Sequence, residues 1–163
     1  MTTHPAGSNL LRPILWGGLV AGALDLAFAL SFNHWHGGVP CIRVPQAVAS
    51  GLLGPSSFQG GLTSAALGVV LHFLIALGWA ALFNVLSRLL PVLTRHAAIC
   101  GPLYGAAIYF AMQWVVLPLS RAPHFKHNPV TTLSDLASHL FLLGLTIALF
   151  ARQAAPNDSS SAQ

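Results

Sequence analysis

Four apolar stretches, residues 13–32, 61–86, 97–117 and 133–151, are separated by shorter segments that hold nearly all of the charged side chains. A helix rises 1.5 Å per residue, so about 20 residues cross the roughly 30 Å hydrocarbon layer of a bilayer. Each stretch is close to that length. A bilayer offers no water to the backbone, and runs this long therefore form helices rather than strands. The pattern predicts an all-α polytopic membrane protein with four transmembrane helices in one domain, residues 12–152. The flanking tails are residues 1–11 and 153–163, and the Ser-rich C-terminal one is expected to be disordered. Between the first two spans, residues 45–54 begin with Pro45 and end in Gly54. Proline suits the first turn of a helix and glycine its end, but ten residues cannot cross a bilayer. A short interfacial or re-entrant helix is expected there.

Composition agrees with the pattern. Mean hydropathy is +0.70 and 55% of residues are hydrophobic, more than the core of a soluble domain of this size requires. Seven Lys or Arg stand against three Asp or Glu. The cations are scattered one or two per loop, whereas a nucleic-acid binder gathers them on one face, so no nucleic-acid partner is expected. Four spans put Arg12, Arg88, Arg95 and Arg152 on one side and Arg43, Arg121 and Lys126 on the other. Loops rich in cations stay inside, which predicts that both termini lie in the cytoplasm. Trp35 and Trp114 fall where interfacial anchors belong. Ala27-Phe28-Ala29 resembles a signal-peptide cleavage site, yet the run before it is of spanning length and contains Asp25, so a first span is the better reading. Cys41 and Cys100 fall at opposite surfaces and read as two separate thiols.

Small residues allow membrane helices to approach closely. Gly18 and Gly22, Gly101 and Gly105, and the stripe Ala65, Gly68 and Ala76 have that spacing. Asp25 follows Gly22 by three and His72 follows Gly68 by four, so both point into the bundle. Asp135 and His139 share one face of the last span. Counting inward from the outer loops places Asp25 and His139 about 10 Å deep, His72 about 16 Å and Met112 about 8 Å. A polar pocket in the outer half of the bundle, built from Asp25, His72, Met112, Asp135 and His139, is therefore expected. An ionised Asp25 paired with a protonated histidine is one way to satisfy the charge. An Asp or His in a span is a functional candidate, and equally a residue that joins helices by hydrogen bonding.

The outer surface gathers His34, His36, Arg43, Arg121, His124 and His127, a set short of carboxylate or thiolate ligands for a metal. Two intramembrane histidines could ligate a haem axially, but two histidines alone specify no cofactor. Neither HExxH, GxSxG nor a glycine-rich phosphate loop occurs, and no enzymatic activity is expected. The segments Ala21–Asp25, Ala49–Gly54, His72–Ala76 and Pro118–Ser120 resemble those of a family of small, uncharacterised four-span bacterial inner-membrane proteins, a domain of unknown function. The resemblance covers residues 12–152. It implies the topology and location, and no reaction or functional residue comes with it. Three readings stay open. One is a protein that binds or passes a small polar species or a proton through the outer pocket. Another is a structural or assembly subunit, with a second copy or another membrane protein as its partner. The last is a histidine-ligated haem or metal carrier.

Overall fold

The computed structural model of the chain describes residues 10–123 and 128–154, and within them the structure is helical with no strand. In chain order the helices are α1 (Leu11–Gly37), α2 (Arg43–Leu53), α3 (Gly61–Leu89), α4 (Val92–Arg95), α5 (Ala97–Leu119) and α6 (Pro129–Gln153). Four of them, α1, α3, α5 and α6, are long and apolar enough to cross a membrane. The protein is a multi-pass integral membrane protein.

All four spans extend beyond their apolar runs, α1 and α6 the furthest and each of these two for a local reason. α1 continues through His34-Trp35-His36 to Gly37 and ends at Gly38, whose φ of 61° is left-handed. Gly38 donates its N–H to the His34 carbonyl at 3.1 Å, and Val39 donates to that of Asn33 at 3.0 Å. This closure leaves the last carbonyls satisfied, and a left-handed residue after a helix is normally glycine. α6 starts four residues ahead of its apolar run because Asn128 caps it: Oδ1 accepts the Thr131 N–H at 2.8 Å, with Pro129 in the first turn.

Around the bundle the spans follow the order α3, α1, α6, α5. Gly18 and Gly22 of α1 lie against Leu77, Ala80, Ala76 and Phe73 of α3. Gly101 and Gly105 of α5 lie against the backbone of α6 at His139, Leu140, Gly144 and Leu145, and Gly144 is itself without a side chain at the crossing. A β-carbon at any of these positions would push the helices apart. The stripe expected in α3 is divided between two neighbours. Ala76 meets Gly22 of α1, whereas Gly68 receives the Pro45 carbonyl of α2.

α2 is the short helix expected between the first two spans. It buries Pro45, Gln46, Ala49 and Ser50 against α3, and a 3₁₀ turn, Gly54–Gln59, returns the chain to the membrane. Gln46 Nε2 donates to the Gly61 carbonyl at 3.0 Å and to Ser64 Oγ at 3.3 Å, and Ser64 Oγ donates to the Ser57 carbonyl at 2.6 Å. The Arg121 N–H also bonds the Gly51 carbonyl at 2.9 Å, tying the end of α5 to α2.

The half of the bundle that holds the start of α1 and the end of α6 is closed by Ala80, Phe83, Ala97, Ile147, Ala148 and Ala151, all buried. There α3 and α5 are joined by Tyr104, whose hydroxyl donates to the Trp79 carbonyl at 2.8 Å and whose ring meets Phe83 at 4.9 Å. Only 22–28% of the most apolar window of each span is buried within the protein, so most of the large aliphatic side chains face outward. Leu62, Ile99 and Leu103 are 79%, 65% and 65% exposed. Such a surface is stable against lipid and a liability in water.

Candidate functional site

Asp25 is buried on the face of α1 that carries Gly18 and Gly22, as its spacing predicted. Its partner is a serine, which agrees with the reading of Asp25 as a residue that joins helices by hydrogen bonding. Ser138 of α6 donates its hydroxyl to Asp25 Oδ1 at 2.5 Å. His72 and His139 hydrogen-bond to main-chain carbonyls, so of the two readings of Asp25 the structure shows the hydrogen bond between helices and not the pair with a histidine. His72 Nε2 lies 2.9 Å from the Gly22 carbonyl. A carbonyl can only accept, so His72 donates from Nε2 and joins α3 to the backbone of α1.

The depth estimates shift with the helix ends. Measured along the helix, Asp25 is about 18 Å from Gly37 and His139 about 15 Å from Pro129, further from the helix ends than from the ends of the apolar runs. His72, about 16 Å from Gly61, stays where it was placed. The three residues share a level without sharing hydrogen bonds.

A separate polar cluster lies between α5 and α6. His139 Nδ1 donates to the Asp135 carbonyl one turn earlier at 2.8 Å, which agrees with the shared face expected of these two residues and leaves Nε2 as the second polar atom of the ring. The buried Tyr109 of α5 meets the His139 ring edge-on at 5.6 Å. Its hydroxyl lies near the Gln113 and Thr132 side chains and within the field of Asp135. The cluster thus holds one carboxylate, one imidazole, one phenol, one amide and one hydroxyl. Asp135 carries its only formal negative charge, so it suits a small species that donates hydrogen bonds or carries positive charge.

Both helices depart from regular α geometry here. α5 passes through a π-helical turn at Met112–Val116 and α6 through one at His139–Gly144. A π turn inserts a residue, displaces carbonyls from their ordinary partners and is frequent at functional sites. Met112, a pocket candidate, begins the π turn of α5 and packs half-buried against the hydrophobic core.

Among the described residues the outer-surface candidates do not assemble. His34 and His36 are exposed and contact their own helix, His34 edge-on to Trp35 at 5.5 Å and His36 stacked on Phe32 at 5.0 Å. Arg43 donates to the Phe58 carbonyl at 2.9 Å and lies 5.7 Å above the Phe58 ring, a cation–π contact that holds the α2–α3 connection. Arg121 is exposed and participates through its main chain. His124, Lys126 and His127 lie outside the described residues, and among the described residues no three metal-ligating side chains come together.

Ser138, Tyr109, Gln113 and Thr132 are the site residues that sequence reasoning missed. A signal was present. Tyr109 and Gln113 are four apart, and Thr132, Asp135 and His139 follow a spacing of three and four, so each set lies on one helical face. Compared with protein-family models, curated proteins and solved structures, the chain matches none. Its functional reading rests on its own residues.

Proposed function

We propose that this is a bacterial inner-membrane protein, termini in the cytoplasm, that binds a small polar or cationic molecule at the α5–α6 cluster of the outer half. Tyr109, Gln113, Thr132, Asp135 and His139 are its contacts. The observation that carries this reading is the coincidence of the two π-helical turns with that cluster. Regular helices joined by ordinary packing would have no need of either turn. The apolar inner half favours binding from the outer side over passage across the membrane, since a proton or polar solute needs a continuous polar route. The cytoplasmic placement rests on the four Arg near the terminal ends of the spans.

Accessibility tests the proposal. In a Cys41→Ser, Cys100→Ser background, Gln113→Cys and Thr132→Cys should react with a membrane-impermeant thiol reagent added to the outer side of sealed vesicles. Phe83→Cys should not react from either side. Failure of both Gln113→Cys and Thr132→Cys to react would mean a sealed cluster and refute a binding site. Reporter fusions at Gln163 should be active for a cytoplasmic marker and silent for a periplasmic one, and the reverse pattern would invert the orientation.

A structural or assembly role is the second reading, favoured by the Asp25–Ser138 and His72–Gly22 contacts. Each joins two helices, and neither belongs to the α5–α6 cluster.

A further inference from the structure

A groove of about 600 Å³ opens at the other end of the bundle, between the start of α1 and the end of α6, lined by Arg12, Pro13, Trp16, Phe150, Gln153 and Ala154. Its lining is layered. Arg12 and Gln153 form the rim, while Trp16 and Phe150 lie about one turn, roughly 5 Å, nearer the membrane centre. Gly17 of α1 packs against Phe150, where a β-carbon would come within 3.1 Å of Phe150 Cβ. The guanidinium of Arg12 has no hydrogen-bond or ion-pair partner among the described residues. Asp25 and Asp135 lie in the opposite half of the bundle, and Asp158 lies outside the described residues. Trp16 is 57% exposed, and a tryptophan so placed belongs at the junction of headgroups and acyl chains.

We infer that this groove is a binding site for an anionic phospholipid of the leaflet on the side of the chain termini. The phosphate of the lipid lies against Arg12, Gln153 donates to its headgroup oxygens, and the upper acyl chain lies over Trp16 and Phe150. The order of cation above aromatic surface matches the order of phosphate above hydrocarbon in the lipid itself. Basic pockets between transmembrane helices select anionic headgroups by this chemistry. The site is independent of the α5–α6 cluster and stands or falls without it.

Quenching by brominated lipid tests the inference. With Trp35, Trp79 and Trp114 changed to Phe, Trp16 is the remaining fluorophore. The protein is reconstituted in phosphatidylcholine vesicles that contain brominated phosphatidylglycerol or, in the parallel series, brominated phosphatidylcholine. One cation near a membrane surface contributes about fivefold in local lipid occupancy, so half-quenching should need about fivefold less of the anionic lipid. Arg12→Gln should abolish the preference, Arg12→Lys should retain part of it, and Arg152→Gln, which removes an equal charge outside the groove, should leave it intact. Equal quenching by the two lipids would overturn the inference. So would a preference that survives Arg12→Gln, one lost equally in Arg152→Gln, or one abolished by inorganic phosphate at constant ionic strength.

Discussion

The α1–α3 and α5–α6 interfaces use the same means of close approach and reach different ends. Both bring helices together at small residues, Gly18 and Gly22 against Ala76 and Ala80 in one, Gly101 and Gly105 against Gly144 in the other. Both carry a histidine at similar depth. At α1–α3 the helices are regular and His72 donates to the Gly22 backbone. At α5–α6 each helix contains a π turn and the polar side chains of the two helices meet one another. The difference teaches that an intramembrane polar residue cannot be assigned a role from its residue type. A side chain bonded to a neighbouring helix backbone is a fastening, while several side chains directed at one another across disturbed helices form a place where something can bind.

The largest predicted effect separates the two crossings by their packing. Gly105→Ala places a β-carbon against the backbone of His139 and Leu140, while Gly22→Ala meets the Ala76 methyl and a movable Phe73 ring. Overpacking typically costs about 1–3 kcal/mol, so Gly105→Ala should lose about 3 and Gly22→Ala about 1. Thermal unfolding in mild detergent measures both, and equal losses would mean that the two crossings are equally tight. The next effect concerns Asp25. A double-mutant cycle of Asp25→Ala with Ser138→Ala should give a coupling of about 1 kcal/mol, within the range of membrane hydrogen bonds. Cycles of Asp25→Ala with His139→Gln or His72→Gln should be additive. Coupling to either histidine would restore the Asp25–histidine pair. The smallest effect is His72→Phe, about 0.6 kcal/mol, the mean for a hydrogen bond between transmembrane helices. A much larger loss would make His72 more than a fastening.

The spans were legible because hydropathy is a one-dimensional property and the bilayer converts it directly into helices. Gly54 and Pro45 likewise marked the ends of a short helix that the structure places at Arg43–Leu53. The inward direction of Asp25 was legible for the same reason, since the spacing from Gly18 and Gly22 fixes a face. Its partner was not. Ser138 and His139 differ by one residue, about 100° around a helix, and which of them faces α1 depends on the rotation of α6. That rotation is set by contact with α5 and by the π turn that begins at His139. Neither has a local sequence signature. The same limit hid the division of the Gly68 and Ala76 stripe between α2 and α1, because a small residue states that a neighbour comes close without stating which one.

The most direct test of binding at the α5–α6 cluster is the thermal stability of the protein in nanodiscs as methylammonium, the smallest alkylammonium donor, is added at constant ionic strength. A ligand that binds only the folded state stabilises it by RT ln(1 + [L]/Kd), about 2.7 kcal/mol at 100 times Kd. The midpoint should rise with methylammonium in the unaltered protein and in His72→Gln, and should no longer rise in Asp135→Asn. A rise that persists in Asp135→Asn, or no rise in the unaltered protein, would contradict the assignment of binding to this cluster.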